Sequence, residues 1–168
     1  MYVASVPVPA PPPAPRPATT SSATAAASLG PDRAEPGRRV GQEWAVDAAG
    51  LDPGRLAGEG GRVALADLFA DLVATLDLHP IAAPIWHVFP GPHEGVTGIV
   101  ALSESHLACH SFPESGGLTL NLYTCRARPC PDWAGLVARH VGYADTPPIV
   151  DVRVFDRSLP AGQVGSRA

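Results

Sequence analysis

Leu118, Leu120 and Leu122 alternate with Thr119, Asn121 and Tyr123, the clearest period-two stretch in the chain. It predicts a strand with one apolar face and one polar face, the latter also bearing Cys125. Upstream, residues 62–78 carry Leu65, Leu68, Phe69, Leu72, Val73 and Leu76 at helical spacing. That spacing predicts an amphipathic helix with a stripe to bury, with Asp67 and Asp71 on its solvated face. Pro80 and Pro84 end it. Residues 43–47 predict a short first strand, followed by a Gly/Pro-rich loop through Gly61. Residues 85–89, 96–102 and 107–112 read as further strands, with a turn over 90–95. A second helix is expected to start near Pro131, whose fixed φ suits a first helical turn, and to bury Trp133, Leu136 and Val137. Residues 149–155 form the last predicted strand.

The predicted order is strand, helix, two strands, two strands, helix, strand. Short links between successive strands favour antiparallel pairing, and two helices can cover only one face of such a sheet. The expected fold class is therefore α/β in the α+β sense, a two-layer sandwich of an antiparallel sheet with two helices on one face. Its other face needs a partner or a polar surface.

Composition limits where that domain can lie. Nine of the first 37 residues are proline, in runs such as Pro11-Pro12-Pro13 mixed with Ala, Ser and Thr. Such a segment buries too little apolar surface to offset chain ordering, so residues 1–37 are expected to be a disordered tail, 38–157 the folded domain and 158–168 a frayed end. No basic start leads into an apolar core, so no secretory signal is expected, and no run of about 18 apolar residues predicts a membrane span. The formal charge of −4 argues against a nucleic-acid partner. Three cysteines without an export signal suggest free thiols and a cytoplasmic location. All 12 basic residues are arginine. A pyridoxal phosphate aldimine, which requires a lysine, is thereby excluded.

The candidate chemistry lies in residues 102–125. Glu104-Ser105-His106 is followed by His110-Ser111-Phe112-Pro113-Glu114 and then by Asn121-Leu122-Tyr123-Thr124-Cys125. His110 lies five residues after Ser105, and Cys125 twenty after it. In composition and offsets this resembles the S-adenosylmethionine decarboxylase proenzymes of the prokaryotic, pyruvoyl-dependent type. Two positions depart from that pattern: Ser111-Phe112 replaces Thr-Trp, and Asn121 replaces an aspartate.

The resemblance implies a mechanism. Amino-acid decarboxylation needs an electrophilic carbonyl that condenses with the substrate amine and accepts electrons as carbon dioxide leaves. In this family the carbonyl is a pyruvoyl group made from the chain itself, here from Ser105 after self-cleavage between Glu104 and Ser105. His110 matches the residue that takes the serine α-proton during processing, and Thr97, within Gly95-Val96-Thr97-Gly98, matches a hydroxyl that supports it. Cys125 matches the proton donor to the decarboxylated carbon. Glu114 and Phe89 match substrate contacts, Phe89 being an aromatic that stacks on adenine. The resemblance further implies a substrate, S-adenosylmethionine, converted to the aminopropyl donor of spermidine synthesis, and a homodimer in which two sheets pack face to face.

Other readings compete with this one. The same pyruvoyl chemistry could serve ornithine or arginine, and a homologue that no longer cleaves could act as an interaction protein. A metal site built from His106, Cys109, His110 and Cys125 is disfavoured, because His106 and His110 on one strand lie roughly 13 Å apart. Cys109 is expected to be a small buried hydrophobe and Cys130 a helix-start residue.

Overall fold

The computed structural model describes residues 39–158 of the 168. The two segments expected to be tails, 1–37 and 158–168, fall outside this range apart from Ser158. Six strands form one antiparallel sheet: β1 (Arg39–Ala49), β2 (Ile85–Val88), β3 (Val96–Leu102), β4 (Ser105–Phe112), β5 (Gly117–Thr124) and β6 (Ile149–Ser158). Their spatial order is β2-β3-β4-β5-β1-β6, so β1 lies between β5 and β6, with both of which it pairs antiparallel. Two helices, α1 (Gly58–Thr75) and α2 (Trp133–His140), complete the domain. The predicted elements are present in the predicted order, and the two-layer sandwich with them. No helix among the described residues is long and apolar enough to cross a membrane.

Strand alternation divides the sheet cleanly into two faces. Leu118, Leu120, Leu122 and Thr124 of β5 are buried with Leu107 and Cys109 of β4, Val96, Val100 and Leu102 of β3, and Trp44 and Val46 of β1. Against them α1 lays Leu65, Leu68, Phe69 and Leu72, each at most 2% exposed. Each contributes about 1.5–3 kcal/mol of transfer free energy. Trp133, Leu136 and Val137 of α2 extend the same core, and Trp133 packs against Trp44 with ring centroids 6.5 Å apart. Asp71 departs from its expected place on a solvated face. It accepts a hydrogen bond from Arg139 Nη1 at 2.8 Å and pairs with His140 Nε2 at 3.0 Å, joining α1 to α2. The bond to His140, with help from Arg139, lowers the Asp71 pKa. The stabilisation from that ionised carboxylate is therefore present at neutral pH and is lost as pH falls through its depressed pKa.

The end of α1 does not depend on Pro80. Leu78 N–H donates to Val73 O and Asp77 N–H to Ala74 O, with Asp77 at a φ of 50°. That pair of bonds is a Schellman termination with aspartate in the left-handed position. It leaves the Asp77 carbonyl facing the end of the sheet where β3 turns into β4.

The opposite face of the sheet carries no helix. It presents rows that run across the strands: Ile85, Ile99, Ala108, Asn121 and Ala45 in one, and Ala101, His106, Tyr123, Glu43 and Phe155 in the next. Ile85, Ile99 and Phe155 are 70%, 45% and 48% exposed.

Candidate active site

Leu102 ends β3 and Ser105 opens β4, joined by the two-residue turn Ser103-Glu104. Neither turn residue has positive φ, so this hairpin does not use one of the primed turns that match strand twist. The Glu104 carbonyl lies outside the β3–β4 ladder and accepts a hydrogen bond from the Cys125 backbone N–H at 2.9 Å. Ser105 stands opposite Leu102 and Thr124, and its Oγ is fully buried with no hydrogen-bond partner among the described residues. A buried hydroxyl in that state costs about 1–3 kcal/mol of lost hydration and has no competing bond to break before it reacts. A nucleophile without a competing partner is thus adjacent in sequence to a carbonyl polarised by a backbone donor. That pairing suits attack on the peptide bond, because the donor strengthens its hold as charge develops on the oxygen.

Cys125 follows the last residue of β5 and is exposed. Its neighbour Thr124 fixes the chain there, since the buried Thr124 Oγ1 donates to Arg126 O at 2.7 Å. Tyr123 shares a side of the strand with Cys125, stacks on His106 at 5.8 Å, and has its pKa raised chiefly by a hydrogen bond with that cysteine. Cys109, in contrast, is 1% exposed, and burial pushes its thiol up to about 12. Iodoacetamide at pH 8 is therefore expected to alkylate Cys125 and Cys130 in the native protein and to spare Cys109 until denaturation, as counted by intact mass. Early modification of Cys109 would show that the core opens there.

At the other end of β4, His110 lies on the open face. Thr97 is opposite it in the register, and Thr97 Oγ1 and His110 Nδ1 are hydrogen-bonded at 2.9 Å. Gly98 beside Thr97 is fixed by packing: a Cβ there would lie 2.0 Å from the Trp86 ring, which covers it and packs on Phe69. Phe89 and Glu114 meet at this same end, lining a cavity of about 250 Å³ together with His93 and Phe112. Phe89 is half exposed and held edge-on against His87 at 4.6 Å. Ser111, which replaces a threonine in the sequence pattern, has a structural place. Its buried Oγ accepts from Val96 N–H and donates to Leu56 O, both at 2.8 Å.

The candidate residues therefore fall into two groups. Glu104, Ser105 and Cys125 are at one end of the sheet, while Thr97, His110, Phe89 and Glu114 are at the other. Within one chain Ser105 and His110 are five residues apart on a single strand, roughly 16 Å at about 3.3 Å per residue, and their side chains leave opposite faces. One chain does not bring its own His110 to its own Ser105. The sequence pattern contained two other participants that spacing did not single out. Glu43 accepts from Asn121 Nδ2 at 3.0 Å and from Arg157 Nη1 at 3.2 Å, placing a carboxylate on the open face next to the position where the pattern has aspartate. Arg128 donates to Glu104 Oε1 at 3.1 Å. Both contacts join segments distant in sequence, so no local signal announces them. No three His, Cys, Asp or Glu side chains among the described residues converge to hold a metal ion.

The two-layer sandwich, with a hydroxyl beside a hydrogen-bonded carbonyl at a hairpin, can be set beside known proteins. Residues 42–145 match the family described as S-adenosylmethionine decarboxylase, and the chain belongs to that family. Among curated relatives, the S-adenosylmethionine decarboxylase proenzyme of Thermococcus kodakarensis is 32% identical over 95 residues, covering 56% of this chain and 62% of that protein. The proenzyme of Bacillus cytotoxicus is 51% identical over 41 residues, 24% of this chain and 32% of its own length. The matches thus span from about a third to somewhat under two thirds of these curated relatives' length. The crystal structure of the adenosylmethionine decarboxylase from Aquifex aeolicus superposes with a TM-score of 0.53 at 25% identity, covering 73% of this chain and 93% of the other.

Proposed function

We propose that this chain is a self-processing, pyruvoyl-dependent decarboxylase of S-adenosylmethionine, assembled from two copies whose open sheet faces pack together. The observation that carries the reading is the unpartnered, buried Ser105 hydroxyl beside the Glu104 carbonyl that Cys125 N–H holds. Ser105 Oγ attacks that carbonyl, and the peptide bond is replaced by an ester with the Ser105 amine set free. A base then takes the Ser105 α-proton while the ester oxygen departs with its bonding electrons, leaving Glu104 with a new C-terminal carboxylate. Tautomerisation, addition of water and loss of ammonia leave the keto group at residue 105. Once formed, this pyruvoyl group supplies the electrophilic carbonyl that binds the substrate amine and accepts the electrons released with carbon dioxide.

His110 is the base in this scheme, its ring held by Thr97, and imidazole is suited to the step because it titrates near neutrality. It acts on the Ser105 of the second copy, because its own is out of reach. The apolar open face supports that pairing, since Ile85, Ile99 and Phe155 would otherwise stay in water. Cys125 lies at the Ser105 end of the sheet and donates the proton that completes turnover.

Phe89 and Glu114 line the second group's cavity and hold the adenosyl part, the ring by stacking and the ribose hydroxyls by the carboxylate. Stacking of a base on an aromatic face contributes about 1–3 kcal/mol. Phe89→Ala is therefore expected to raise the KM for S-adenosylmethionine roughly 5- to 150-fold with a smaller change in kcat. An unchanged KM would remove Phe89 from the substrate site. A second reading, decarboxylation of ornithine or arginine, is favoured by Glu43, whose carboxylate could hold a second basic group near Asn121. Carbon dioxide release from matured protein with all three substrates separates the two readings. Turnover of ornithine or arginine, and none of S-adenosylmethionine, would replace the substrate and keep the chemistry.

A further inference from the structure

A polar cavity of about 350 Å³ opens beside the scissile bond, lined by Asp77, His79, Ser103, Glu104, Arg126 and Arg128. The mechanism above uses none of its cations. Arg128 is its centre. Nη2 donates to the Asp77 carbonyl at the end of α1 and to Glu104 Oε1, both at 3.1 Å, whereas Nε is fully buried and has no partner among the described residues. An unsatisfied buried guanidinium donor is costly, and Arg presents its donors in a fixed fork suited to carboxylates. His79 reinforces the site, with Nδ1 3.7 Å from Glu104 Oε1 and its backbone oxygen accepting from Ser103 N–H at 2.8 Å. Ser103 Oγ donates to Glu104 Oε2. Apart from the Asp77 carboxylate, the side chains that line the cavity around Glu104 are donors: His79, Ser103, Arg126 and Arg128.

We infer that this cavity is the receptor for the C-terminal carboxylate that self-cleavage creates on Glu104, with Arg128 as the residue that holds it. The inference rests on the proposed maturation, which supplies that carboxylate. In the intact chain the cavity holds the carboxylates of Asp77 and Glu104 against Arg126, Arg128 and His79. Cleavage adds one negative charge at a residue already in contact with Arg128, and the idle Nε lies within the same fork. The chain segment 1–104 then stays anchored at its end, although the peptide bond that joined it to β4 is gone. Without this anchor the β3 end is free to fray beside the newly formed keto group. Bonding of the product carboxylate also draws the ester toward cleavage and away from return to the peptide.

The test compares Arg128→Gln in two backgrounds, matured protein and uncut Ser105→Ala. In Ser105→Ala the substitution removes the Glu104 side-chain pair and the bond to the Asp77 carbonyl, losses common to both backgrounds, and the thermal midpoint falls by that amount alone. In matured protein it should fall at least about 3 °C further, and the 1–104 fragment should leave the complex at lower urea in size exclusion. Equal shifts in the two backgrounds would overturn the inference. Glu104→Gln provides a second route, since it removes the side-chain carboxylate but keeps the terminal one. The extra loss on Arg128→Gln should persist in matured Glu104→Gln protein, and its disappearance would show that the side chain was the true partner. If Arg128→Gln does not fold, Arg128→Lys, which keeps the charge but not the Nε donor, should give an intermediate differential in the matured form alone. A wild-type protein that stays a single chain on a denaturing gel would overturn the maturation itself, and with it the inference. That outcome is distinguishable from equal shifts in a protein that does cleave.

Discussion

Ser105→Ala is expected to leave one uncut chain under conditions where the wild-type protein is expected to separate into residues 1–104 and 105–168. The effect should be all or none, because the substitution removes the hydroxyl adjacent to the Glu104 carbonyl that the maturation scheme uses as nucleophile. Folding should not suffer. Ser105 Oγ has no hydrogen bond to lose, and removing a buried, unsatisfied hydroxyl is neutral or stabilising. Intact mass and a denaturing gel report the outcome, and the smaller wild-type fragment should resist Edman degradation because its first residue carries a ketone. A wild-type chain that never cleaves on long incubation would sink the reading, and Ser105→Ala protein that still cleaves would move the nucleophile elsewhere. Ser103 is the neighbouring alternative, but its hydroxyl is engaged with the Glu104 carboxylate.

Sequence and structure agree wherever an element's identity depends on its own residues. The leucine alternation in β5 and the stripe from Leu65 to Leu72 place the core correctly, because period and burial are linked directly in a sheet or a helix that covers one face. Agreement ends where the determinant is a distant contact. Helix α1 begins at Gly58, inside the stretch read as loop. Gly60 and Gly61 are poor helix formers, yet Gly61 sits so close to the Leu56 backbone that a Cβ would approach within 2.5 Å. Packing overrides propensity there. Asp71 looks solvated on a helical wheel and becomes an ion-pair partner only once α2 is laid against α1.

The site divides along the same line. The order Glu104-Ser105, with His110 and Cys125 at fixed offsets, is legible as a motif because its chemistry is local to two adjacent strands. What offsets do not reveal is direction. Five residues along a strand carry His110 to the far end of the sheet and to the other face, so a motif that looks contiguous in sequence is split in space. The cavity around Glu104 is similarly hidden, since Asp77 and His79 come from the α1–β2 connection and Arg128 from the β5–α2 connection.

That split makes the strongest test of the assembly a mixed one. Ser105→Ala and His110→Ala proteins, each expressed alone, should stay uncut, the first for want of a nucleophile and the second for want of a base. Hydroxylamine, which cleaves esters, should release fragments from His110→Ala and none from Ser105→Ala if the second variant stalls after the acyl shift. When the two variants are co-expressed and pair at random, half of the dimers are mixed. In each mixed dimer one site combines the intact Ser105 of the His110→Ala copy with the intact His110 of the other, while the second site carries both lesions. About a quarter of all chains should then cleave, and every cleaved chain should carry the His110→Ala substitution. Distinct mass tags on the two variants identify which chain was cut. Absence of cleavage in a mixture shown to contain mixed dimers would place His110 in the same chain as its target. That result would require β4 to bend back on itself between Ser105 and His110. The continuous pairing of this strand with both β3 and β5 does not allow it.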